Sequence, residues 1–236
     1  ERVLTVGTSG AIRQVVDQPS LDPEERTWCY LLTEGRWLAG GAINNGGIAV
    51  QWARERFYPD LSEADGYVRL LADAATIEPG AAGLLFLPYL TGERSPHWDT
   101  NAHATLHGLT LAHRREHVAR AVLEGVAFCL AEVSTALPQA RGGIARLTGQ
   151  ITGMAPWPQL LADVLGHPLA ILEAADASAM GAAMLGHWAL GHVATLDDFA
   201  TNASEGTTLS PDSFTHINYQ TIQQAFHTLS QRILSA

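Results

Sequence analysis

Four short segments of this 236-residue chain combine residue types that suit work on a bound ligand. In Gly7-Thr8-Ser9-Gly10, two glycines let a backbone come close to a ligand, and Thr8 and Ser9 place hydroxyls beside main-chain N–H groups. Such a turn can hold a phosphate, although the plainer reading is a tight turn between two strands. A nucleophilic Ser9 would need the pattern G-x-S-x-G and a helix after it. Position 11 is alanine, and Ile12, Val15 and Val16 read as strand, so a serine hydrolase is a weak alternative.

The second segment, residues 40–47, is glycine-rich, contains Asn44-Asn45 and leads into a helix that carries Gln51 one turn in. A glycine-rich helix start leaves free N–H groups that suit phosphate, ribose or an adenine edge. Asparagines that satisfy their own backbone are the competing explanation. The third, Thr148-Gly149-Gln150-Ile151-Thr152-Gly153, follows a strand and opens a helix, as nucleotide-binding turns do; it is not G-x-G-x-x-G, so a dinucleotide fold gains no support. The fourth, residues 91–99, sets Glu93, Arg94, His97 and Asp99 at a strand end, where loops often face a cleft. A salt-bridged loop anchored by Trp98 is the preferred reading there. Two histidine pairs spaced by four, His103/His107 and His113/His117, lack the H-E-x-x-H pattern, and no metal site is expected.

These segments need a scaffold. Strands are predicted at 2–6 and 11–16, then a hairpin at 28–33 and 36–39 around Glu34-Gly35. Helices are predicted at 48–57 and 61–74, a strand at 84–90 and a short one at 106–109. A long helix to residue 137 buries Val118, Ala121, Val122, Gly125, Val126, Cys129 and Leu130 on a 3.6-residue period. Strand 145–148, helix 157–165, strand 169–172 and a small-residue helix at 176–191 follow. A polar stretch at 201–213 then leads to a terminal helix near 220–234. Antiparallel strands followed by alternating helices and strands give an α/β domain, a mixed sheet flanked by helices. The order is also that of the ribonuclease H-like, actin-type ATPase domain.

Net charge is −10, and Lys and Arg nowhere cluster beyond Arg114-Arg115, so no nucleic-acid surface is expected. An anionic ligand must therefore be held by a local site against the global field. Cys29 and Cys129 sit far apart and form no C-x-x-C, which suits a reducing compartment. No apolar run reaches membrane-spanning length, and a cytoplasmic location is expected. The chain opens at Glu1 directly into a strand pattern, as a piece of something longer would.

Each segment is weak alone, but their order is specific. The GTSG turn, G-x-x-N-N-G-G-I-x-x-Q-W, L-L-F-x-P-Y-L-x-G-E-R-x-P-x-W, G-L-T before a helix with E-G-V, and T-G before A-D-V-L-G occur at 6–12, 40–52, 84–98, 106–128 and 147–166. That succession resembles the C-terminal half of the FGGY carbohydrate kinases, most of all those acting on gluconate, and it fades after about residue 191. The resemblance implies two actin-like halves closing on a cleft, with ATP held as its Mg2+ complex mostly by the half seen here. Carried over, Thr8, in the turn with Ser9, would meet the terminal phosphates. Gly47 and Gln51 would lie near the nucleotide, and Gly149 with the turn through Gln150 and Met154 would pack by adenine and ribose. It places the catalytic aspartate and most contacts to the sugar acid in an N-terminal domain absent from this chain, so the piece alone should be inactive. Residues 1–200 would form the nucleotide-binding domain, and 201–236 a polar linker and terminal helix packed on it. Another FGGY kinase of xylulose or glycerol type is the near alternative, and an actin-like ATPase or a non-catalytic nucleotide-binding module the distant one. Where the family has two adjacent glycines this chain has Gly149-Gln150, which sets a Cβ and an amide against the base. A domain without its partner half exposes an apolar face, so a homodimer is a further expectation.

Overall fold

β1 (Arg2–Val6) alternates buried and half-buried residues, as a strand with one well-covered face does. It pairs antiparallel with β2 (Gly10–Val16), with Leu4 opposite Ile12 and Val6 opposite Gly10. β3 (Trp28–Thr33) and β4 (Arg36–Ile43) form the next hairpin, and β4 lies antiparallel to β2. The structure, a computed structural model, describes residues 2–138, 143–172, 177–202 and 206–235.

β4 runs four residues beyond the predicted end, because its glycines are packing sites and not loop. The Trp28 ring lies against the α-carbon of Gly40, and Ser95 and Val133 lie against that of Gly41; a Cβ at either would collide. The helices that follow, α1 (Gly47–Phe57) and α2 (Glu63–Ala75), begin at Gly46 and at Ser62, whose hydroxyl accepts from the Asp65 amide. β5 (Leu85–Leu87) is shorter than predicted and stops at Pro88, which has no N–H to donate. It pairs with β6 (Thr105–His107) in a separate two-stranded sheet.

α3 (Arg115–Ala136) is the axis of the domain. The predicted apolar stripe is buried, and so is every residue from 118 to 133, because the helix packs on β2, β4 and β5 and is ringed by α1, α2 and the later helices at Trp157–Leu165 and Ser213–Leu234. β7 (Ala145–Thr148) then enters beside β1 in parallel, with Thr5 opposite Thr148. α4 (Trp157–Leu165) crosses back to β8 (Leu169–Ile171), which is parallel to β7 and antiparallel to β9 (Thr208–Leu209). The result is a seven-stranded mixed sheet in the order β3-β4-β2-β1-β7-β8-β9.

α5 (Ala177–Ala189) has no buried residue, and Met180, Leu185, Trp188 and the following Leu190 are exposed. Its predicted first residue, Asp176, lies outside the described residues, as do 203–205 of the polar stretch. α6 (Ser213–Leu234) starts seven residues before the prediction, since Asp212 caps it by accepting from the Thr215 amide at 2.8 Å. It buries Tyr219, Phe226 and Leu229 against the domain. No described helix is long and apolar enough to cross a membrane.

Candidate nucleotide site

The parallel pairing of β1 with β7 brings the carboxyl ends of the two strands together, and with them the GTSG turn and Gly149. Carboxyl ends of strands in α/β sheets are where ligands usually bind. The Gly7 amide donates to the Ser9 carbonyl at 2.9 Å, which closes the turn. Thr8 and Ser9 are exposed, and their amides and hydroxyls take no partner among the described residues. β2 follows Ser9 directly, so the nucleophile elbow is ruled out by the strand-to-strand geometry.

α1 closes the back of this turn. The amides of Gly46 and Ile48 donate to the Thr8 carbonyl, both at 3.1 Å, and that of Gly47 to the Gly7 carbonyl at 2.7 Å. The free helix-start N–H groups read from the sequence are therefore already engaged, and they brace the turn. A Cβ on Gly47 would lie 2.7 Å from the Gly7 oxygen, so only glycine permits this approach. Gly149 has φ +100° and presses against the Val6 carbonyl, where a side chain would collide.

Gln150 is exposed at the start of a short 3-10 turn, Gln150–Gly153, beside this cluster. Two other candidates point elsewhere. The Gln51 amide donates to Glu55 at 2.9 Å along α1, and Met154 is half-buried against the core.

The 91–99 segment, expected to be a salt-bridged loop anchored by Trp98, is built around Glu93. Trp98 is 48% exposed with φ +53°, too open to serve as an anchor. Glu93 is buried and accepts from the Asn44 amide at 2.5 Å and the Arg94 amide at 2.8 Å. Burial pushes its carboxyl up from the ordinary range, against the hydrogen bonds it accepts. The signal in the sequence was a lone carboxylate next to a glycine, too common a pattern to mark a role.

Among the described residues no group of three or more His, Cys, Asp or Glu side chains could hold a metal ion. A cavity of about 620 Å3 lies between the 24–26 and 96–99 loops and the ends of α3 and α6; Glu132 there meets His97 at 3.2 Å and His227 at 2.8 Å. His97 and Asp99 of the 91–99 segment line it, and none of Thr8, Ser9, Gly47, Gln51, Gly149, Gln150 and Met154 does.

A mixed sheet in this order, with a turn of open donors at the carboxyl end of a strand, is the frame of an actin-like domain. Residues 3–190 match the FGGY family of carbohydrate kinases, C-terminal domain, and the chain belongs to that family. It is 36% identical to a gluconokinase of Bacillus licheniformis over 99% of this chain and 47% of that protein, and 35% identical to a gluconokinase of Bacillus subtilis over 98% and 47%. Two solved structures from Lactobacillus acidophilus superpose over all of it and 48% of each: a ligand-bound xylulose kinase, TM-score 0.92 at 32% identity, and a gluconate kinase, TM-score 0.91 at 31%. The chain spans about half the length of the relatives it matches.

Proposed function

We propose that this chain is the nucleotide-holding half of a cytoplasmic sugar kinase that moves the γ-phosphate of ATP to a hydroxyl of gluconate. The observation that carries this reading is the GTSG turn, where the Thr8 and Ser9 amides and hydroxyls, without a partner among the described residues, stand at the joined ends of β1 and β7 while main-chain bonds from α1 hold the turn from behind. Donors fixed before the ligand arrives need no reorganisation when charge develops on the phosphoryl oxygens, which is the main contribution a protein makes to phosphoryl transfer. Thr8 and Ser9 are assigned to the terminal phosphates, and Gly149 with Gln150 to the base and ribose side. Magnesium would come with the nucleotide and would neutralise phosphate charge there. The base that takes the hydroxyl proton is assigned to the half of the relatives that this chain does not span. The exposed apolar face of α5 is assigned to contact with that same half.

Gluconate is preferred to xylulose because the gluconokinases are 36% and 35% identical over nearly the whole chain, whereas the xylulose kinase of Escherichia coli, which also matches over 99% of it, is 29% identical. Calorimetric titration of the chain with ADP and Mg2+ tests the reading. Binding that weakens about tenfold in Thr8→Ala, the loss of one hydrogen bond to a charged group, supports it. Binding that ignores the substitution moves the nucleotide away from this turn, and phosphorylation of gluconate by the chain alone would overturn the assignment of the base.

A further inference from the structure

Glu93 is 1% exposed, and it is the carboxylate of the 91–99 segment that touches the chain leading into α1. A buried carboxylate carries a desolvation cost, so its placement calls for a reason beyond packing. Its Oε1 takes the Asn44 amide and the Arg94 amide, and its Oε2 faces the Asn45 side-chain amide at 3.5 Å. Its own amide donates to the Asp99 carbonyl at 2.8 Å, which fixes the residue from behind.

The rest of the segment is laced to the same stretch. Asn45 donates to the Gly92 carbonyl at 2.8 Å and accepts from the Thr91 hydroxyl at 3.1 Å, and Asn44 donates to the Thr91 carbonyl at 3.1 Å. Arg94 donates to the Ile43 carbonyl, and the Ser95 amide to the Ala42 carbonyl, both at 3.1 Å. One residue after Asn45 begins the run of three amides, Gly46 to Ile48, that hold the carbonyls of Gly7 and Thr8. A continuous main-chain path thus links the Glu93 carboxylate to the Thr8 turn.

We propose that Glu93 is a positioning residue for the nucleotide turn: it fixes the Asn44-Asn45 segment, and through it the Gly46–Ile48 amides that brace Thr8. The consequence for nucleotide affinity rests on the function proposed above, whereas the consequence for the amides does not. Glutamine at 93 keeps an oxygen for the two backbone amides but presents a donor to the Asn45 amide, so two donors face each other where an acceptor stood.

Amide hydrogen exchange and ADP titration of the full chain, on wild type, Glu93→Gln, Thr8→Ala and Glu124→Gln, decide the matter. Glu124→Gln controls for the general loss of a buried carboxylate. In Glu93→Gln the amides of Gly46, Gly47 and Ile48 exchange about tenfold faster relative to those of β1, and ADP binds about tenfold more weakly, the loss of one charge-assisted bond. Glu124→Gln leaves that ratio unchanged. An unchanged ratio in Glu93→Gln overturns the proposal, as does ADP affinity within about twofold of wild type while Thr8→Ala weakens it, a difference under one hydrogen bond's worth. If wild type does not bind ADP, the nucleotide reading falls and the exchange arm alone decides on Glu93. Should Glu93→Gln fold poorly, Glu93→Asp, which keeps the charge and shortens the reach, carries the same comparison.

Discussion

The Gly47 amide donates to the Gly7 carbonyl at 2.7 Å, so the first residue of α1 sits on the back of the turn that presents Thr8. Sequence reasoning treats a glycine-rich helix start as a place for a ligand's phosphate. Here those donors are spent on another part of the protein, and the open amides lie in the turn itself, at Thr8 and Ser9. The helix still helps electrostatically: it carries Arg54 and Arg56 in its last turn and no acidic residue in its first, which leaves the positive end of its dipole behind Thr8.

Gly47→Ala should therefore act on binding through main-chain displacement. Its Cβ would meet the Gly7 oxygen, and the strain is expected to cost about 1–3 kcal/mol of stability, with a larger relative loss of ADP affinity. Gly153→Ala is the control, since nothing lies within 4 Å of its added Cβ, and its melting temperature should match wild type.

Gly149→Ala meets two penalties, a collision with the Val6 carbonyl and a backbone at φ +100°, ψ −176° that only glycine adopts readily. A loss of about 1–3 kcal/mol in chemical denaturation is expected from the backbone term. Gln150→Gly works the other way. It removes an exposed side chain from the edge of the cluster, and ADP should bind more tightly; unchanged or weaker binding would place the base elsewhere.

Glu124 holds Arg120 at 2.7 Å, the Tyr219 hydroxyl at 2.9 Å and the Gly80 amide at 2.9 Å, which ties α3 to α6 and to the loop before β5. Glu124→Ala leaves Arg120 buried without its counter-charge, so a loss of about 3–5 kcal/mol is expected. Tyr219→Phe removes one hydroxyl from the same network and should cost about 1–3 kcal/mol. Equal effects of the two would mean that packing, and not charge, sets the strength of this joint.

The hydrogen bonds from Arg26 hold the Asp22 carboxyl down, from 3.8 to about 2. A depressed pKa in the folded state contributes stability that is present above the unfolded value and lost as pH falls. Wild type should lose stability between about pH 3.8 and about pH 2 more steeply than Arg26→Ala, which removes the side-chain hydrogen bonds and leaves only the weaker backbone ones to Asp22. Glu93 has the opposite sign. Its raised pKa favours the folded state below the ordinary carboxylate range, and that contribution fades as pH rises through the folded value. Denaturation midpoints across the acid range for wild type, Arg26→Ala and Glu93→Gln separate the two.

Met180 and Leu190, 50% and 73% exposed, touch little of this chain. Met180→Lys and Leu190→Lys should each change stability by less than about 0.5 kcal/mol, as surface substitutions do. They should abolish self-association if copies of the chain pair through α5, and leave the sedimentation coefficient unchanged if α5 instead meets the half of the relatives that this chain does not span.

The parts of the fold that were legible came from periodicity. The stripe on α3 repeats often enough to be read and marks the central helix, and the short apolar runs at 2–6 and 11–16 mark the first two strands. Gly40 and Gly41 were misread, because glycine in a turn and glycine under a packed Trp28 look the same in one dimension. The early start of α6 was hidden for a related reason: its first two turns are polar on most sides, and only the Asp212 cap marks them. Within the site, the GTSG turn and Gly149 were visible as turn chemistry. The role of Glu93 was not, since it depends on hydrogen bonds to residues 48 and 49 positions away.

The site is assembled from strand ends that meet across more than a hundred residues, Thr5 beside Thr148. Closing so long a loop is slow compared with forming the β1–β2 hairpin. During synthesis, then, the Thr8 turn emerges early but stands without Gly149 until β7 has left the ribosome and docked. Under the proposed function, nucleotide would stabilise this domain only once that docking is done.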